Sequence, residues 1–450
     1  EFGVVTVPNQ PQLTTAASVK AIQFLDSGTP ITLTLSGAGA QLTSEGNLVA
    51  NGAGASSRTN TIIIDNAAGK LNVKGALILS GGTNNNLALN IGPGTVSVTG
   101  ELEQKNTSSI SIASGLLELN GDYSYTGGVF SASANSTVDY KGAGSQKVAA
   151  VSYHHLIISK PSGVATLNAA AALNFGGNLT MSGPESLVLQ ASDLTVSGNV
   201  EQTNGTIDVG SSVIKVAGNW TRTGGVFIPS ASTVTFTGTN NSAIGSISQP
   251  AQEYTFNNLT VAKTAGITLT ANNNIKINAD FGISSGTLSL GTKTVSRNAP
   301  GGKFTMGNTG VLLLEGSNFP SNFVENTLDA ASHVKYEGTA SQAVAAVTYG
   351  HLTLDNGGAV EKTLQAGTRV NGDLTITDDA TLDGAGKTLT ISGNFTKAST
   401  GVFIAGATYT DGTLVLAGTT PAAQKQLNGA FTVHNMLLEA GANYIIPSND

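Results

Sequence analysis

A glycine followed by Asn, Asp or Glu and then an apolar residue recurs at Gly100, Gly121, Gly177, Gly198, Gly218, Gly372 and Gly393. Adjacent copies lie 21 residues apart (100 to 121, 177 to 198, 372 to 393) or 20 apart (198 to 218). Recurrence at a fixed period constrains a fold more than local propensity does, and about twenty residues is the length of one solenoid coil. Strand patterns fill each interval, as in Leu187-Val188-Leu189, Leu194-Thr195-Val196, Thr388-Leu389-Thr390-Ile391 and Ile31-Thr32-Leu33-Thr34-Leu35. Apolar residues alternate there with Thr or Ser, the period-two signature of a strand with one buried face. Strands this short cannot bury a face alone, so they must stack.

Two stackings satisfy that demand. A right-handed parallel β-helix lays each coil on the last; a tandem array of β-sandwich domains closes each run of about 90 residues on itself. Sandwich strands would carry hairpin turns every 8–12 residues, and the beat of 20–21 does not. The expected fold is therefore an all-β solenoid with coils of 20–21 residues. At roughly 4.8 Å per coil, some twenty coils would make a continuous rod on the order of 100 Å.

A longer cassette overlies the beat. It reads Ser136-Thr137-Val138-Asp139-Tyr140-Lys141-Gly142, then Ser232-Thr233-Val234-Thr235-Phe236-Thr237-Gly238. Looser copies are Ser332-His333-Val334-Lys335-Tyr336-Glu337-Gly338 and Gly412-Thr413-Leu414-Val415-Leu416-Ala417-Gly418. Each follows a Phe (Phe130, Phe227, Phe323, Phe403) and precedes a Gln and a short apolar strand, starting at Leu156, Leu259, Leu352 or Met436. The Phe spacings of 97, 96 and 80 correspond to super-repeats of four or five coils, roughly 80–100 residues each. The expected divisions are solenoid coils or a cap over 1–120, then repeats over 121–217, 218–301, 302–392 and, truncated, 393–450.

Composition narrows the function classes. Only 11% of the 450 residues are charged, and the net charge of −7 is dispersed. Nucleic-acid binding needs a clustered basic footprint, which 21 scattered Lys and Arg do not supply. No apolar stretch reaches the roughly 18–20 residues of a membrane span. The absence of Cys rules out disulfides and thiolate chemistry. Residue 1 is Glu, and the last residues follow closely on the fourth copy, so the chain is expected to be a piece of something longer.

The cassette also resembles the long repeat regions of secreted Bacteroidetes surface proteins. The matching residues are Thr137-Val138, Tyr140-Lys141-Gly142, Gln146, Tyr153-His154-His155-Leu156, Gly163 and Thr166-Leu167. They recur as Val334, Tyr336-Glu337-Gly338, Gln342, Tyr349-Gly350-His351-Leu352, Gly358 and Thr363-Leu364. The resemblance covers residues 120–450. It implies export through the type IX secretion system and display on the cell surface as an adhesin. The implied partners are glycans or other surface components, the rest of a larger surface protein, or the secretion machinery.

Candidate chemistry is sparse. His154 and His155 align with Asn257 and Asn258, with Gly350 and His351, and with His434 and Asn435; His333 replaces a Thr. A position that accepts His or Asn uses a neutral hydrogen bond to turn backbone, since Asn is neither a base nor a good metal ligand. Asp378, Asp379 and Asp383 crowd one turn and form a candidate calcium site, but without the twelve-residue loop or the glycine-rich nonapeptide; a solvated turn is the plainer reading. Lys387 and Arg369 are the nearby basic residues for a comparison with lyase-type β-helices. Trp220 aligns with Leu179, Val200 and Phe395, which marks a core position, and the Thr-x-Thr pairs recur too irregularly for an ice-binding face. The expected function is a non-catalytic stalk or adhesin segment; the alternative is a carbohydrate-active or carbohydrate-binding β-helix.

Overall fold

The computed structural model describes residues 10–24, 29–50, 58–79, 85–169, 171–249, 251–355, 360–377, 379–404, 412–418, 424–429 and 433–445. Among them there is no helix, and so none long and apolar enough to cross a membrane. Every strand pairing described is parallel, which excludes the sandwich array, whose strands pair antiparallel. The chain is a parallel β-solenoid. It divides into two compact units, Glu1–Ser232 and Thr233–Asp450.

One coil of the first unit shows the plan. Ser109–Ile112, Leu116–Leu119 and Tyr123–Tyr125 occupy its three sides. Each strand pairs with its counterpart one coil away: Ile110 lies beside Leu89 and Phe130, Leu117 beside Val96 and Val138, and Tyr123 beside Leu102. Alternate residues point inward, so Ile110, Ile112, Leu117, Leu119 and Tyr123 are buried. Rows then run from coil to coil. Leu117, Val138, Leu156, Leu179, Val200 and Trp220 form one such row, and every member is buried. Each aliphatic member contributes about 1.5–3 kcal/mol by leaving water. The described strands from Gln12 onward join the same stacks and so belong to the solenoid.

The glycine beat has a local cause. Gly198 N–H donates to Gly177 O, and Gly218 N–H to Gly198 O, each at 3.0 Å, so the turns stack directly. The Asn after each glycine lays its side chain over the next turn: Asn178 Oδ1 accepts from Asn199 N–H and Asn199 Oδ1 from Asn219 N–H, both at 2.9 Å. A Cβ on Gly198 would collide with Gly177 and with the Asn178 amide.

In the second unit the row Leu312, Val334, Leu352, Leu374, Phe395 and Leu427 is equally buried. Two strands are longer than the sequence pattern predicts, Phe281–Ser289 and Val295–Leu314. Register shifts at Ile283/Ser285 and Ser296/Gly301 let them bend around the coil's corners without breaking the ladder.

Coil length also departs from a uniform 20–21. Leu179, Val200 and Trp220 keep that step, but Thr137 lies beside His155 and His333 beside His351, only 18 residues on. Phe395 lies beside Leu427, 32 residues on. The first and third cassettes thus mark narrow coils, whereas the second steps 25 residues, from Thr233 to Asn258.

Candidate functional site

The polar groups that repeat with the cassette turn inward. In the first copy Tyr140 and Tyr153 are buried with their hydroxyls 3.0 Å apart. Tyr140 Oη accepts the Ala149 N–H at 3.0 Å, and the Tyr153 hydroxyl donates to Ala149 O at 2.8 Å. Gln146 Nε2 donates to Leu119 O and Gly121 O one coil back, while its Oε1 accepts from Gly142 N–H. Lys160, wholly buried, closes the network: its Nζ donates to Gly142 O and Gly144 O at 2.7 Å and to Gln146 Oε1 at 2.6 Å. Burial pushes both the Tyr140 and Tyr153 hydroxyls well above the ordinary phenol range, so they remain neutral donors.

The third copy rebuilds this arrangement nearly atom for atom. Tyr336 and Tyr349 hydroxyls are 3.0 Å apart, Ala345 N–H and O bond to them, and Gln342 reaches Leu314 O and Gly316 O. The ammonium arrives by another route. Lys362 donates to Gly338 O at 2.6 Å and to Gln342 Oε1, yet it lies on the next strand, in register with Gln342. The corresponding place in the first copy is Ala165, beside Gln146. Alignment of the cassette misses this, because the two lysines converge in space from different positions in the chain.

The second copy substitutes an apolar version. Phe236 and Phe256 meet edge to face with centroids 6.5 Å apart, where the tyrosine pairs sit elsewhere. Ser242, not the expected Gln, occupies the Gln146 place; Gln249 instead lies in a turn whose carbonyl accepts from Asn273 Nδ2. Lys263 keeps its position, bonding Asn240 O at 3.2 Å, and burial pulls its ammonium down to about 8. The fourth copy departs furthest. Thr413–Leu416 pairs with Thr388–Ile391 on the second unit's third sheet, which also holds Thr348–Tyr349 and Thr368–Val370, whereas the cassette strand of the third copy lies in the sheet of Leu352 and Leu374, and Gln424 is exposed.

The histidines act as the His/Asn exchange implies. His155 Nδ1 accepts the Asn178 N–H at 3.0 Å, Asn258 Oδ1 accepts the Asp280 N–H at 3.1 Å, and His351 Nδ1 accepts the Asp373 N–H at 2.9 Å. Two residue types, His and Asn, thus cap one turn. His333 pairs through Nε2 with Thr353 Oγ1 at 2.8 Å, and burial with Lys335 nearby holds its pKa down to about 4.

The acidic turn is described at two of its three carboxylates. Asp378 lies outside the described residues. Asp379 N–H donates to Thr400 Oγ1, and Asp383 Oδ1 accepts from Ala385 N–H in a local turn. Among the described residues no group of three or more His, Asp and Glu side chains is placed to hold a metal. Asp383 ends a strand of one sheet, and Arg369 sits on another, paired beside Thr348 and Thr390. Lys387 is exposed at the turn before Thr388. Trp220 is buried against Phe227, 4.9 Å between centroids.

A second inward motif lies outside the cassette: the residue four after the beat glycine. Gln104 Nε2 bonds Val129 O and Gln202 Nε2 bonds Val226 O, each at 2.8 Å, and Lys397 Nζ bonds Gly401 O at 2.6 Å. These groups secure the turns that end at Phe130, Phe227 and Phe403. Gly128 and Gly225 in those turns hold positive φ (96° and 72°), where a Cβ would strike Ser108 O or Gly205 O. The signal was the Gly-x-apolar-x-Gln spacing itself, visible at Gly100 and Gly198.

No protein-family model, curated protein or solved structure matches the chain at a significant level.

Proposed function

We propose that this chain is a non-catalytic structural and adhesive segment, a stalk or adhesin rod, of a large bacterial protein displayed outside the cell. One observation carries the proposal: the chemically capable groups that recur with the cassette are consumed within it. Lys160, Lys362 and Lys263 donate to backbone or Gln oxygens, the tyrosine pairs bond each other, and the aligned His and Asn cap turns. A repeated enzyme site would instead present a nucleophile, acid or base toward a cleft. The resemblance of the cassette to secreted Bacteroidetes repeat regions supports the surface location and the type IX route.

The test has two arms. Acidic and neutral polysaccharides incubated with the chain should show no new reducing ends or unsaturated products. Antibody raised to the chain should label intact cells that make the parent protein, and external protease should remove the label. Product formation would overturn the non-catalytic assignment; labelling only after lysis would overturn the surface assignment.

A further inference from the structure

On the outer face of the second unit's third sheet, a shallow groove of about 330 Å³ is lined by Ala346, Thr348, Gly367, Arg369, Thr388 and Thr390. Thr348, Arg369 and Thr390 are neighbours across three successive coils and form one side. Gly367 lies two residues before Arg369, and its missing side chain leaves the floor open; a Cβ there would meet only Thr388 O, at 3.7 Å. Its φ is not in the left-handed region, so neither the turn nor backbone strain calls for glycine at this place.

The guanidinium of Arg369 is held before any ligand arrives. Nε donates to Asn371 Oδ1 at 2.9 Å, and Nη2 donates to Ser392 Oγ at 3.1 Å on the neighbouring coil. Both acceptors are neutral, and among the described residues Arg369 joins no ion pair. The end of the fork, Nη1 with the second hydrogen of Nη2, therefore remains for a planar anion, the geometry that pairs two-for-two with a carboxylate. Hydroxyls of Thr348, Thr388 and Thr390 surround it and supply both donors and acceptors. An oriented, uncompensated cation among hydroxyls, beside the small residues Ala346 and Gly367, matches a sugar ring that bears a carboxylate. The groove is open, so it admits a ring within a chain as well as a free sugar.

We propose that this groove binds carboxylated polysaccharide, with Arg369 paired to a uronate carboxylate and the threonines to ring hydroxyls. The proposal rests on the adhesive part of the function above and names its ligand class. With one ion pair and no stacking aromatic, affinity per site is weak, on the order of millimolar, and falls as salt rises.

Affinity electrophoresis in gels carrying polygalacturonate, alginate, dextran or dextran sulfate, paired with titration of monomeric galacturonate and acetate, tests it. Retardation is expected in polygalacturonate or alginate and not in dextran, with galacturonate competing better than acetate. Arg369→Ala should weaken binding by about tenfold or more. Gly367→Val, which fills the floor in a backbone that accepts it, should do likewise, while both variants keep the parent melting temperature. No retardation by either uronate polymer, equal retardation by dextran, or unchanged binding in both variants would overturn the proposal. So would preference for dextran sulfate with no competition by galacturonate, which would mark a general anion site. Each of these failures leaves the labelling and product assays above unaffected, so the two proposals fail separately.

Discussion

At the scale of single residues, the most consequential groups are buried lysines whose ammonium groups bond oxygens of the chain itself. Lys160 satisfies two backbone carbonyls and the Gln146 amide oxygen inside the coil. Lys160→Met should strand those acceptors and destabilise by about 3 kcal/mol, read from urea denaturation; Lys362→Met should behave alike. His333 gives a test in pH. Its pKa is about 4 in the folded chain, against about 6.5 when unfolded, so the unfolded chain takes up its proton first. Stability should therefore fall as pH drops from about 7 to 4 and then level, a loss on the order of 2 kcal/mol after allowing for solvent screening. The groups facing it are Lys335, His351 and Asp373. His333→Thr, the residue found at Thr137 and Thr233, should remove most of that slope in urea midpoints measured at pH 4.5 and 7; an unchanged slope would place the titration elsewhere.

At the scale of elements, the coil was legible because one turn equals one motif. The stacked Gly-Asn turn fixes both the spacing and the residue types, and the alternation beside it fixes which face is buried. Trp220→Asp or Leu389→Asp buries an unpaired charge and should lower the melting temperature, because both side chains are almost wholly inaccessible. Hydrogen exchange should accelerate in the coils next to Trp220 and leave the coils around Val96 and Leu117 protected, since each coil touches only its neighbours. What the sequence hid depends on where a residue falls around the coil. Arg369 and Asp383 are 14 residues apart, about two thirds of a coil, so they sit on different sheets despite their nearness in sequence. The fourth cassette likewise lies on a different sheet from the third, and Phe403 before it is already paired beside Leu382 at an ordinary step. Lys362 could not be aligned with Lys160 because the ammonium position is shared while the strand position is not.

At the scale of the whole molecule, repetition serves fastening, and any recognition must come from residues the copies do not share. Arg369 and Gly367 have no counterparts in the cassettes, so alignment of the repeats alone does not bring them together. The parallel stacking itself can be tested directly, because the chain has no Cys to confuse the result. Thr180 lies beside Glu201, which lies beside Thr221; Thr375 lies beside Thr396. Neighbouring coils put paired Cα atoms at about 4.8 Å, within disulfide reach, and coils two apart at about twice that, beyond it. Oxidation of the Thr180→Cys/Glu201→Cys and Thr375→Cys/Thr396→Cys chains should form an intramolecular disulfide, seen as a loss of two thiol hydrogens by mass spectrometry. The Thr180→Cys/Thr221→Cys chain should not. Cross-linking of the distant pair, or failure of both neighbouring pairs, would contradict the parallel solenoid.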